Sequence, residues 1–350
     1  MSWEDNVRKV VPYVPGEQPT NKNIIKLNTN ECPYPPAPKV RELINDMKYE
    51  DFRLYPDPEA KSLVNVLSEY YGVPSDQVFV GVGSDDVISM AFLTLFNSDK
   101  PILFPDITYS FYDVWADLYR IPYKQIPVDD EFKIHKEDYY GENGGIIFPN
   151  PNAPTGVLED LDFVEDIIKH NQDVVVIVDE AYIDFGGKSA LPLIDKYDNV
   201  LVVQTFSKSR AMAGMRIGYA FGSKKLIKYL QDAKFSFNSY TMNRPSLTLG
   251  TAAVEDDKYF KDTCGKIIAT RERVKKELTE LGFEFPDSKS NFIFAKHKEK
   301  SGQEIFDALK SNNIFVRHWN SPRIAEYLRI SIGTDAEMDA MLEFLRGYLK

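Results

Sequence analysis

Six short and mostly apolar segments recur in one half of the chain: Val78–Val82, Pro101–Phe104, Gly145–Phe148, Val174–Val178, Val200–Val203 and Ile217–Phe221. A strand with one wet face alternates apolar with polar residues, and these do not. They must be covered on both sides. Helical stretches lie between them, from Ser84 to about Phe96, over Tyr109–Tyr119 and over Leu161–Lys169. Apolar strands separated by helices predict an α/β fold with a mostly parallel sheet covered by helices.

Residues 1–36 are rich in Pro, Asn and Tyr and keep no period, so they read as an extended arm. Helices are expected over Lys39–Met47 and from Asp57, as N-cap ahead of Pro58, to Gly72. Beyond about residue 243 the pattern changes. Two long helices run to about 281, and strands follow at Phe283–Phe285, Asn291–Ala295, Ile314–Arg317 and Leu328–Ile332. Further helices are expected near Gly302–Lys310 and Ala336–Leu349. The expected division is an arm (1–36) packing on the small domain, a large α/β domain (37–245) and a smaller α+β C-terminal domain (246–350).

Composition narrows the partners. The 350 residues carry a formal net charge of −11, which argues against nucleic acid, whose phosphates need a basic face. No apolar run approaches membrane-spanning length. The opening MSWEDNVRKV is acidic and lacks an apolar stretch, so no secretory leader is expected. Cys32 and Cys264 are far apart and in no metal-ligand spacing, which predicts a reducing, cytoplasmic setting and no metal site.

Four segments could carry chemistry. The first is Ser207-Lys208 with Arg216 eight residues on, in a turn rich in small residues. A Schiff-base lysine needs such a protected place, and an Arg fork and a Ser hydroxyl can hold a phosphate. An ordinary basic surface loop reads the same way. The second is the strand Val174–Val178 running into Asp179-Glu180-Ala181-Tyr182. A carboxylate there sits where open α/β sheets bind ligands and could pair with a pyridine nitrogen, with Tyr182 near a phenolic oxygen. A strand-end acid capping a turn is the alternative. The third is Asn150-Pro151-Asn152-Ala153-Pro154-Thr155-Gly156, a rigid turn with amides able to point inward. The fourth is Gly81-Val82-Gly83-Ser84-Asp85-Asp86, a strand entering a helix whose N-terminus could hold a phosphate. Ser84 or Asp85 could equally be a plain N-cap.

In this order the four segments resemble the fold-type I pyridoxal 5′-phosphate (PLP) aminotransferases, over nearly the whole chain. Within them, Tyr13-Val14-Pro15-Gly16, Leu27-Asn28-Thr29-Asn30-Glu31, Arg53-Leu54-Tyr55-Pro56-Asp57 and Leu328-Arg329-Ile330-Ser331-Ile332-Gly333 are similar to the histidinol-phosphate aminotransferases. The resemblance implies that Lys208 carries the cofactor and that Asp179 and Tyr182 pair with its ring nitrogen and phenolic oxygen. It places the phosphate on Ser84, Asp85, Ser207 and Arg216, and stacks Tyr109 on the ring. Tyr55 would reach a phosphate across a homodimer interface. Tyr13, Asn30, Arg317 and Arg329 would bind substrate. The usual Asn before Pro-Thr-Gly is Ala153 here, which leaves Asn152 as the candidate for that contact, and Cys32 stands where the family often has Asn.

The implied reaction is transamination of L-histidinol phosphate with 2-oxoglutarate in histidine biosynthesis, with no partner but small molecules and a second copy of the chain. An aromatic amino acid aminotransferase, a threonine-phosphate decarboxylase or a non-catalytic PLP-binding protein would use the same four segments.

Overall fold

A computed structural model describes residues 2–20 and 23–350. After the arm come β1 (Ile25–Leu27), α1 (Pro38–Asp46) and α2 (Lys61–Tyr71). The next stretch holds β2 (Val78–Gly81), α3 (Ser84–Leu95), β3 (Ile102–Pro105), α4 (Tyr112–Tyr119), β4 (Tyr123–Ile126), β5 (Ile146–Pro149), α5 (Leu161–His170), β6 (Val176–Asp179), β7 (Val200–Thr205) and β8 (Gly218–Gly222). Then follow α6 (Lys224–Phe237), α7 (Arg244–Glu255), α8 (Asp257–Glu280), β9 (Phe283–Glu284), β10 (Phe292–His297), α9 (Gly302–Ser311), β11 (Ile314–His318), β12 (Leu328–Ser331) and α10 (Asp335–Tyr348).

Seven strands form the large sheet in the order β2-β8-β7-β6-β5-β3-β4. β8 pairs antiparallel with both neighbours, and the other pairings are parallel. The continuous apolar strands have the predicted cause. Phe148, Val176, Val178, Val200 and Val202 face one core, while Ile147, Ile177, Leu201 and Val203 face another. Leu63 of α2, Val164 of α5 and Leu247 of α7 fill the first. Val87 of α3, Trp115 of α4 and Leu230 of α6 fill the second.

A five-stranded sheet, β1-β11-β12-β10-β9, makes a separate core with α8, α9 and α10 through residues such as Ile267, Ile305, Ile330 and Met338. The arm supplies its edge strand: β1 runs parallel to β11, with Ile25 opposite Ile314.

Several boundaries differ from expectation. Asp57 is not the N-cap of α2. Its carboxylate accepts the Glu59 and Lys61 N–H groups in a preceding turn, and Ala60, in the left-handed region, is the cap. α4 starts at Tyr112, not Tyr109. α6, β1 and β4 were not anticipated. α7 packs on α1 and α2 and fills part of the large sheet's first core. Among the described residues no helix is long and apolar enough to cross a membrane.

Candidate active site

The sheet order brings the four segments to one edge. The parallel strands β5 and β6 end level, with Pro149 opposite Asp179, and β7 runs on from Val203, opposite Asp179, to Thr205. β8 runs the other way, so its first residue, Gly218, lies opposite the last of β7, Thr205. Asp179, the Asn150–Gly156 turn, Ser207-Lys208 and Arg216 therefore gather at the carboxyl edge, the usual ligand-binding edge of an open α/β sheet.

Asp179 lies at the bottom of this edge. The Tyr112 hydroxyl donates to its carboxylate at 2.8 Å and the Ala181 N–H at 3.2 Å. Burial nevertheless pushes the carboxyl up from 3.8 to about 6. Above it, the Tyr182 hydroxyl accepts from the Asn30 amide at 2.9 Å. Asn30 sits at φ 56°, a conformation Asn tolerates, and its amide oxygen accepts from Ser331. One residue thus ties the arm to both sheets. Lys208 Nζ donates to the Thr29 carbonyl at 3.2 Å and stands 5.8 Å from the centre of the Tyr182 ring.

A second corner forms where α3 meets β8. No side chain caps the N-terminus of α3, so the N–H groups of its first turn stay open. A Cβ at Gly218 would stand 2.2 Å from the Ser84 nitrogen, and one at Gly83 would stand 2.5 Å from the Arg216 guanidinium. Only glycines let strand, helix and guanidinium come this close. Arg216 reaches the Asp85 carboxylate at 3.0 Å and the Ser207 hydroxyl at 3.5 Å. The Tyr109 hydroxyl donates to the other Asp85 oxygen at 2.8 Å.

Between the two sheets lies a cavity of about 590 Å³, with Lys208, Tyr182, Tyr109, Asn30, Arg317 and Arg329 in its wall. Tyr13 of the arm closes one side, its ring 4.2 Å from that of Phe111. Arg329 donates to the Asn28 carbonyl at 3.0 Å, and its buried Nε has no partner. Burial pushes its guanidinium down from the ordinary range, and the charge on Arg317 adds to this.

Two expected residues lie elsewhere. Asn152 does not offer its amide to the cavity. Both N–H groups are committed, to the Ile107 carbonyl at 2.9 Å and the Thr155 hydroxyl at 3.1 Å, and Ala153 and Pro154 form the wall instead. Tyr55 is 78% exposed, with its ring 4.7 Å from that of Tyr240. Sequence reasoning missed Tyr112, the partner of Asp179, and Trp319, which lines the cavity beside the arginines. Tyr112 stands three residues after Tyr109, at the first position of α4, the one signal that could have marked it.

The family model for aminotransferase class I and II matches residues 22–345. The chain belongs to that family. A histidinol-phosphate aminotransferase of Lactococcus lactis subsp. cremoris is 52% identical over 100% of this chain and 98% of its own. Among solved structures, histidinol-phosphate aminotransferases of Clostridium acetobutylicum and Sinorhizobium meliloti share the fold. Their TM-scores are 0.85 and 0.83 at 22% and 24% identity. The first covers 93% of this chain and 98% of its own, the second 92% and 91%. The Sinorhizobium structure is a complex with PLP.

Class I and II aminotransferases use PLP, and the residues of this aminotransferase fit it. The uncapped start of α3, closed in by Gly83, Gly218, Arg216 and Ser207, suits a phosphate dianion. Asp179 suits a ring nitrogen, and a lysine and a tyrosine stand at the cavity wall above it.

Proposed function

We propose that this aminotransferase transfers an amino group between L-histidinol phosphate and 2-oxoglutarate, in histidine biosynthesis, with Lys208 as the lysine that bonds to PLP. The observation that carries this is the pairing of Lys208 with Arg317 and Arg329 in one cavity. Among the described residues neither arginine has a carboxylate partner, so both guanidiniums are free to take an anion. One substrate brings a phosphomonoester and the other a second carboxylate, and a guanidinium fork fits both. The 52% identity to a histidinol-phosphate aminotransferase supports the same reading.

Arg216, Ser207 and the backbone N–H groups of Ser84 and Asp85 would hold the cofactor phosphate, and Asp179 its ring nitrogen. Tyr182 would face the phenolic oxygen and Tyr109 would stack on the ring. When bound, PLP supplies a conjugated ring that accepts the electron pair released at the substrate's amino-bearing carbon. Lys208 Nζ would take the proton from that carbon and return it to the cofactor carbon on the far side of the amino nitrogen. Asn30 donates to the Tyr182 hydroxyl and keeps it aimed. Tyr13 and Phe111 shut out water on the arm side.

Homodimerisation belongs to the same proposal. Tyr55 is surrounded in sequence by exposed Tyr49, Phe52 and Leu54, an apolar surface that a second copy would cover and through which Tyr55 would reach the partner's phosphate. A cytoplasmic site of action fits the two unpaired cysteines.

A half-reaction tests the substrate. Histidinol phosphate mixed with the PLP-loaded enzyme should bleach the visible absorbance of the lysine-bound cofactor, and 2-oxoglutarate should restore it. Bleaching by phenylalanine without bleaching by histidinol phosphate would make this an aromatic aminotransferase.

A further inference from the structure

Arg317 and Arg329 are not merely near each other. They are direct cross-strand partners on the antiparallel pair β11 and β12. Side chains so placed project side by side, and like charges directly opposite are unfavourable. Among the described residues no carboxylate pairs with either. The group that touches both is Trp319. The guanidinium carbons of Arg317 and Arg329 each lie 5.3 Å from the centre of its ring. Trp319 stands two residues after Arg317, just past the end of β11. Its ring is also 6.3 Å from Phe294, edge to face, which fixes it from behind.

We propose that Trp319 is a positioning residue of the substrate-anion site. Its π face offsets the repulsion between two facing guanidiniums and keeps both in the cavity before an anion arrives. The physical basis is the attraction of a cation to the negative face of an indole, strongest where water is excluded. Phe292, 5.4 Å from the Arg329 guanidinium, assists on one side only. Without the indole, each arginine would swing away from the other toward solvent, and the anion would have to draw both back. Preorganisation of this kind appears in binding rather than in the chemical step. The inference rests on the proposed use of Arg317 and Arg329 for substrate anions.

The test uses PLP-loaded enzyme, so that the cofactor's own phosphate already fills the α3 corner. Inorganic phosphate is the probe, titrated by calorimetry, alongside KM and kcat for both substrates. Trp319→Leu should weaken phosphate binding and raise both KM values about tenfold, with kcat changed less than about threefold. Trp319→Phe, which keeps a π face, should restore most of the loss. If Trp319→Leu folds poorly, the comparison moves to Trp319→Phe against Trp319→Gln, with the same expected order. Phosphate binding unchanged in the leucine variant, or a phenylalanine variant no better than leucine, overturns the proposal. Arg329→Ala separates the two levels. If it too leaves phosphate binding intact, the arginines are not the anion site and the underlying reading fails. If it abolishes binding while Trp319→Leu does not, only the role of Trp319 fails.

Discussion

At the scale of single residues, the proposed function rests on Lys208 and Asp179. Lys208→Ala should cut turnover by about 10⁴-fold or more and remove the visible absorbance of the bound cofactor. An active, yellow variant would sink the assignment. Asp179 makes a pH prediction. Burial raises its carboxyl from 3.8 to about 6 without cofactor, so the fold favours the protonated form. Its contribution to stability is then present below about pH 4 and lost as pH rises through about 6. The span corresponds to about 3 kcal/mol. Cofactor-free wild type should lose stability relative to Asp179→Asn across that interval, in urea melts at several pH values. Parallel curves would show that the carboxyl titrates normally. Lys208, Asp179, Tyr182 and Arg216 stood out in the sequence as candidates because each is one residue type at one place in a strand-turn pattern, and the strand register brings them to one edge of the sheet. Asn152 commits its amide to a backbone carbonyl 45 residues earlier, a long-range bond that no local pattern carries. Trp319 carried no signal either, since its role depends on a cross-strand register.

At the scale of elements, the apolar strands and most helices were legible because the hydrophobic pattern alone determines them. The missed ones have physical reasons. β1 is three residues long and exists as a strand only through β11, at the far end of the chain. β4 is an edge strand with three exposed residues in four, so it has no apolar run to read. β8 and the start of α3 meet backbone to backbone at Gly218. Gly218→Ala would put a methyl 2.2 Å from the Ser84 nitrogen, and the contact is backbone on both sides, so neither can turn aside. The expected cost is about 3 kcal/mol, with PLP affinity lowered at least tenfold as the open N–H groups move. Thermal melts and cofactor titration check both. Normal PLP affinity would mean that α3 does not hold the phosphate.

At the scale of the whole molecule, the proposed dimer makes Tyr55 the residue that one chain would lend to the other's site. The residue is largely exposed, while Arg244 holds its backbone carbonyl at 2.9 Å and Tyr240 packs on its ring. A tyrosine anchored from behind and exposed in front suits a group presented to another protomer. In a two-fold dimer the exchange is reciprocal, so each site takes Lys208 from one chain and Tyr55 from the other. Two defective chains can then complement. Lys208→Ala lacks the lysine but offers its tyrosine, and Tyr55→Ala lacks the tyrosine but keeps the lysine. Tyr55→Ala alone should bind PLP about tenfold or more weakly, from loss of a hydrogen bond to a charged group. After mixing and subunit exchange, half the dimers are hybrids with one intact site each, so about a quarter of wild-type activity should return at limiting PLP. Activity no greater than the sum of the two variants would place Tyr55 outside the partner's site and leave the exposed surface around it without this function.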